Sequence, residues 1–473
     1  MTDKQGSSTI QLEPTTSASE LTGSEPWFLD VFGPVTEERT TYDLQVDGAI
    51  PEQLTGRYLR NGPNPAALPS GRYHWFFGDG MVHGLELRGG RASWYRNRFV
   101  RTGRASEALG VPAPSGAPEV NPLNPANTNI IKHAGHFLAW CEVGLPYELT
   151  AELDTIGAYD FRGRLASPGT GHPKLDPVTG ELLFIGYSPT PPYLRYHQVD
   201  PQGVLTRSVD IDVKGPTQMH DFAITANYVI FFDLPVVLDV SLAGVQQMPY
   251  RWDPGYGARI GVMPRSGGNS DVRWFEIEPC YVYHGLNAYE DGDCIVIDVA
   301  RFPEAFNIDR PGGGQTWTLD PSTLDRWRID LRTGQVTETR LDDRPLDFVR
   351  VDDRLVGREH RYGYGVELIR GSHGREVGFG SLLKHDLKRQ TTELHNLGPG
   401  RMGGEPVFVP AGPDAAEDEG FILAFAYNPN TDCSDLVILN AGDFAGEPAA
   451  TIHIPWRVPP GFHGSWTSDP SAG

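Results

Sequence analysis

The stretch at 174–187, KLDPVTGELLFIGY, decides the fold. It turns through Asp176-Pro177-Val178-Thr179-Gly180 and returns along Leu182, Leu183, Phe184 and Ile185. Asp and Gly supply the conformations of a tight turn, and the apolar, aromatic return is strand-forming. The same hairpin recurs as QVDPQGVLTRSVDIDV at 198, RIDLRTGQVTETRL at 328 and KHDLKRQTTELHNL at 384. Looser copies are LELRGGRASWYRNRF at 85, NIIKHAGHFLAWCE at 129, FAITANYVIFFDL at 222, and FILAFAY at 421 followed by LVILNA. Helical periodicity is scarce, and only SEALGV at 106 and PEAFN at 303 read as short helices. Gly (55) and Pro (40) are spread evenly as turn punctuation rather than massed in a linker. Hairpins repeating every 40 to 60 residues or so predict an all-β chain folded as a β-propeller, with about four strands to a blade and roughly seven blades.

The predicted propeller occupies 25–467 as one catalytic domain, flanked by tails at 1–24 and 468–473. The first is rich in Ser, Thr, Gln and Glu, lacks a basic region followed by an apolar run, and reads as disordered rather than as a signal peptide. Net charge is −21, from 40 basic against 61 acidic residues, which argues against nucleic acid as a partner. Four cysteines, Cys141, Cys280, Cys294 and Cys433, form no C-x-x-C pair, so a reduced, cytoplasmic setting is expected. The longest apolar stretch, VIFFDLPVVLDV from Val229, is broken by Asp233 and Pro235 and is too short to span a bilayer. No G-x-G-x-x-G follows a strand, and the run Pro311–Gly314 reads as a surface turn.

Four of the fourteen histidines share a setting beside a β-run: His172 in GHPKLDP, His220 in MHDFAIT, His284 in YVYHGLNAYE and His463 in GFHGSW. Their successive spacings are 48, 64 and 179 residues. Ligands on one helix would lie a turn apart. Ligands this dispersed meet only if separate strands converge, and in a propeller those steps are one blade, one blade and several. Four neutral imidazoles would suit a redox-active divalent iron with positions open to O2. Taken alone, each histidine is as readily a hydrogen-bonded strand residue.

Seven motifs in order decide between these readings. GRYLRNGPNP at 56, HWFFGDGMVHG at 74, GHPKLDP at 171, MHDFAIT at 219, EPCYVYHGLNAYE at 278, GGEPVFVP at 403 and IPWRVPPGFHGSW at 454 resemble those of carotenoid cleavage oxygenases. The resemblance runs from about residue 27 to about 467. It implies a seven-bladed propeller with a loop and short-helix cap over its metal-bearing face. It further implies one Fe(II) per chain, held by His172, His220, His284 and His463. His83, in the most conspicuous motif, matches no ligand. Metal-bound histidine usually gives its second N–H to a carboxylate. The resemblance assigns that part to Glu142 for His220, to Glu405 for His463, and to Asp347 for His284. At Asp347 the family usually has glutamate; the shorter side chain predicts a longer or water-bridged bond.

The resemblance also implies the reaction. Thr128 would crowd one open iron position, O2 as cosubstrate would take the other, and a C=C bond would be cut into two carbonyl products. The implied substrate is a carotenoid or apocarotenoid in an apolar tunnel, with Trp75, Phe76, Phe77, Tyr289, Phe306 and Trp466 as candidate lining. The alternatives are a stilbenoid- or phenylpropanoid-cleaving oxygenase and an O2-independent isomerohydrolase. The stilbenoid branch tends to place a phenol-binding lysine where this chain has Cys141. An apolar substrate predicts weak, reversible membrane contact, with Val236, Val237, Leu238, Val240 and Leu242 as the apolar patch and no polybasic help. Oligomeric state is left open.

Overall fold

In a computed structural model of the chain, which describes residues 26–68, 73–243, 248–309, 322–373, 375 and 377–469, the hairpin turns are built on their aspartates. Asp176 Oδ1 accepts the Val178 and Thr179 amides at 2.8 and 3.1 Å, and Gly180 takes the left-handed conformation at φ +71°. Asp200 and Asp330 repeat the arrangement, with Gly203 at +83° and Gly334 at +79°. At the fourth turn Gln390 adopts φ +55° in place of a glycine.

These hairpins stack into seven antiparallel blades and a separate two-stranded ribbon, Val236–Leu238 with Tyr250–Trp252. The second blade begins at Asn129–His133, the third at Lys174–Leu175, the fourth at Phe222–Ile224, the fifth at Tyr281–Asp291 and the sixth at Leu346–Arg350. Within a blade, middle strands are buried on both faces while outer strands alternate. Leu182–Tyr187 is buried throughout, whereas Leu205–Ile211 buries only its ends. Adjacent blades meet through interdigitating apolar side chains. Ile185 and Tyr196 of the third blade pack with Phe222 and Phe231 of the fourth. Each such large side chain, fully buried, contributes about 1.5–3 kcal/mol.

Two pairings between the chain's ends close the ring. Gly464–Ser468 pairs antiparallel with Gly56–Asn64 as the inner edge of the first blade. Gln45–Gly48 pairs with Ala450–Ile454 as the outer strand of the seventh. Asp469 binds Arg57 at 2.9 Å and also Arg88, so ordered pairing continues past the expected limit at 467. The expected 1–24 tail, residues 470–473 and the Pro311–Gly314 run lie outside the described residues.

The helix expected around SEALGV is Gly103–Leu109, capped by the Thr102 hydroxyl on the Ala105 amide and ended by left-handed Gly110. The second expected helix, PEAFN, does not form. Phe306 sits at φ +55°, and its carbonyl accepts the Trp252 and Ile308 amides instead of continuing a helical ladder. Short 3-10 turns at Pro26–Phe28, Asp30–Phe32 and Trp75–Phe77 complete the cap. Trp27, Phe32 and Trp75 of these turns share one apolar core with Phe302, Phe348, Phe379 and Phe462 of the blades. The cap therefore lies against the face that carries the four histidines.

Candidate metal centre

His172 and His220 stand just before the inner strands of the third and fourth blades, His284 is on that of the fifth, and His463 precedes the closing strand of the first. Because inner strands surround one axis, the four imidazoles meet. Ring centroids of His172 lie 4.5 Å from His220, 5.0 Å from His284 and 4.5 Å from His463. His284 and His463 are 4.8 Å apart. One ring nitrogen each from His172, His220 and His284 falls within 4.8 Å of the others, and the His172 and His220 Nε2 atoms are 3.0 Å apart.

Carboxylates hold three of the rings by the opposite nitrogen. His284 Nδ1–H donates to Asp347 Oδ1 at 2.7 Å, His463 Nδ1–H to Glu405 Oε1 at 2.7 Å, and His220 Nδ1–H to Glu142 Oε1. Each bond fixes the tautomer whose Nε2 lone pair faces the shared centre. His284 Nε2 is buried with no hydrogen-bond partner among the described residues, the state expected of a ligand atom. Nitrogen donors of this kind suit a transition metal rather than a hard cation.

Asp347 reaches its ring directly, against the expectation of a long or water-bridged bond. Its strand bulges between Asp347 and Arg350, with Phe348 in the left-handed region at φ +51°, so the shorter carboxylate meets His284 without an intermediary. The bulge also seats the Phe348 ring 5.0 Å from His284 and 5.4 Å from His463.

Burial and mutual repulsion keep His172 well below its ordinary pKa, and burial likewise lowers His463. Burial works against protonating His220, but the Glu142 charge outweighs it and raises this ring. Burial alone would raise Glu405; His463 and Arg350 instead hold it down to about 2. Glu142 is similarly held below the usual carboxylate range, against burial, by His220 and Tyr187.

Thr128 lies between two of the histidine-bearing segments. Its carbonyl accepts the His463 amide at 3.0 Å, and its methyl abuts Gly171, where a Cβ would come within 2.4 Å of it. His83 is not one of this group: it is buried in the first blade, two strands in from the closing strand, with Nδ1 2.9 Å from the Tyr95 hydroxyl. Four further residues brace the centre without any local signal in the sequence. Tyr187 donates to Glu142, and Arg350 binds Glu405 Oε2 at 3.2 Å. The Thr170 hydroxyl links the His172 amide to the His220 carbonyl, and Phe348 wedges against two rings.

The six aromatic candidates divide. Trp75 and Phe76 pack on Phe462 at 4.7 and 5.3 Å, and Phe306 lies 6.2 Å from Tyr281. Tyr289 instead packs on His360, away from this shell, because it lies farther along its strand. A cavity of about 330 Å³ along the axis is walled by His172, His284 and His463, and of the six it takes only Trp466. Its other walls mix the charged Lys132, Lys174, Asp221 and Arg350 with apolar side chains such as Ile224 and Leu286.

A seven-bladed propeller with four histidines on its axis, three of them braced by carboxylates, is the framework of a mononuclear non-haem metalloenzyme. The sequence profile of the Retinal pigment epithelial membrane protein family matches residues 32–468. The chain belongs to this family, the carotenoid cleavage oxygenases, whose members are non-haem iron oxygenases. A carotenoid cleavage oxygenase of Mycobacterium tuberculosis is 42% identical over 95% of this chain and 99% of its own. Crystalline Pseudomonas brassicacearum lignostilbene dioxygenase superposes with a TM-score of 0.85 at 28% identity, covering 96% of this chain and 99% of its own. Cobalt-substituted Synechocystis ACO gives 0.80 at 29% identity, covering 92% and 97%.

Proposed function

We propose that the chain binds one Fe(II) through His172, His220, His284 and His463 and cuts a C=C bond of a carotenoid or apocarotenoid with O2. The observation that carries this reading is the arrangement of three carboxylates on three different Nδ1 atoms, which turns the Nε2 atoms toward one point. Bound there, Fe(II) would supply a redox centre with positions open to O2 beside an alkene. Glu142, Asp347 and Glu405 offset the ion's charge without occupying a coordination position. The Thr128 methyl narrows one approach, and the aromatic shell of Trp75, Phe76 and Phe462 keeps water from the reacting bond. Both oxygen atoms enter the products and the alkene supplies all four electrons, so no reduced cosubstrate is needed.

The substrate class rests on the 42% identity to a carotenoid cleavage oxygenase and on Cys141. A thiol has no cationic form to offer a phenolate, and burial pushes Cys141 up to about 11, so it stays neutral. The likeness to lignostilbene dioxygenase favours stilbenoids as the second reading. Weak membrane contact would centre on Val240, which is 78% exposed, whereas Val236 is buried.

The test is incubation with 18O2 across carotenoids, apocarotenals and hydroxystilbenes, quenched before carbonyl exchange. Label in both carbonyl products of an apocarotenoid is the expected result. Label in one product only would make the enzyme a monooxygenase, and faster turnover of hydroxystilbenes would select the second reading. Turnover without O2 would point to isomerohydrolase chemistry.

A further inference from the structure

Among the described residues no hydrogen-bonded ladder joins the third, fourth and fifth blades, yet His172, His220 and His284 come one from each. His172 and His220 also precede their strands, so ladder bonds do not hold them either. The separation of the three rings therefore depends on whatever ties the blades together across the axis.

Thr170 links the His172 and His220 segments, and one carboxylate reaches all three. Asp221, the residue after His220, is buried. Its Oδ1 accepts Lys174 Nζ at 2.7 Å and the Phe222 amide at 2.8 Å. Its Oδ2 accepts the Gly285 amide at 2.9 Å. Lys174 is two residues past His172 and Gly285 is one past His284, so Asp221 touches all three histidine-bearing segments within two residues of a ring. The strand bearing His284 is shaped to allow this. Its register with Cys294–Phe302 slips between Val282 and Gly285, and the Gly285 amide turns to the axis instead of the ladder. Asp221 and Lys174 both line the axial cavity, so the tie lies on its wall, beside the rings and away from the aromatic shell.

The geometry points to Asp221 and Lys174 as positioning residues of the metal centre: an ionic crosspiece that sets the spacing of His172, His220 and His284. This rests on the proposed four-histidine metal site. Two bonds to one carboxylate, from Lys174 Nζ and from the Gly285 amide, join the third and fifth blades to the fourth at the axis. Without its lysine, that carboxylate is left as an unpaired buried charge, and a buried charge draws compensation from water or from backbone movement. Either response displaces His220, to which Asp221 is bonded in sequence, and loosens the hold on Gly285 beside His284.

The experiment titrates Co2+ into apo-protein and follows its visible absorption, with the apo-protein melting temperature measured alongside. Asp221→Asn and Lys174→Met are each expected to weaken Co2+ binding by about tenfold or more and to change the band shape, which reports ligand geometry. Lys174→Arg, which keeps the cation, should restore both. Lys174 is partly exposed, so Lys174→Met and Lys174→Arg give the reading even if Asp221→Asn does not fold. Wild-type affinity and band shape in Lys174→Met, whether or not its melting temperature falls, would overturn the inference and leave the pair a stabilising ion pair only. Failure of the wild-type protein to bind one Co2+ per chain would instead overturn the metal site itself.

Discussion

Asp347 meets the His284 ring at 2.7 Å, the distance Glu405 keeps from His463 with a side chain one methylene longer. The bulge at Phe348 makes the two distances equal, so the aspartate occupies the partner's place in the proposed site. Asp347→Ala should therefore weaken iron binding by about 10–100-fold, as loss of such ring partners does. His83→Ala should leave iron content unchanged, because among the described residues the His83 ring hydrogen-bonds only Tyr95. Metal analysis after desalting checks both, with His284→Ala as the iron-free control. Iron held as tightly by Asp347→Ala as by wild type would remove Asp347 from the site.

At the scale of the element, closure of the ring depends on strands that arrive from the far end of the chain. Gln45–Gly48 is joined to Ala450–Ile454 by its ladder and by His453, whose Nε2 lies 3.0 Å from Asp47 and Nδ1 2.7 Å from Asp435. Burial works against protonating His453, but the two carboxylates outweigh it and raise its pKa above the ordinary 6.5. The contribution to stability is complete below the unfolded value and is lost as pH rises through the raised folded one. His453→Gln should thus lower the melting temperature at pH 6 and change it little well above pH 8. An equal loss at both values would show that the charge plays no part. A second element, the 3-10 turn Val240–Leu242, exposes Val240. If it touches membranes, Val240→Asp should reduce co-sedimentation with neutral phospholipid vesicles without altering the melting temperature.

For the whole molecule, the proposed ligands come from the first, third, fourth and fifth blades. A metal that binds only when these blades are docked stabilises the ring as one body. At about a hundredfold excess over its dissociation constant it adds about 2.7 kcal/mol. With an unfolding entropy of about 2 cal/mol/K per residue, that is a rise in melting temperature of about 3 °C. Calorimetry with excess Fe(II) under anaerobic conditions, against the same protein in chelator, measures it. An unchanged transition would mean that Fe(II) does not bind the folded ring in preference to the unfolded chain.

The repeated Asp-turn hairpins were legible in the sequence because their signals are local. An aspartate caps two amides, a following residue turns left-handed, and apolar strands lie on either side, all within about fourteen residues at 174–187. From hairpin period and chain length came the propeller, and from the spacing of four histidines came the expectation that they meet. Ordered motifs then named the carboxylates that the structure does put against three of the rings. The rest was decided by contacts between residues far apart in the chain. PEAFN has helical composition, yet Phe306 is turned by a bond to Trp252. Asp347 reaches His284 only because its strand bulges, and Tyr187, Arg350 and Asp221 acquire their roles from partners 45, 55 and 64 residues away. Local signals specify turns and strands because their physics is satisfied within a few residues. The shape of the centre depends on where seven separately formed blades come to rest against each other, and only their packing settles that.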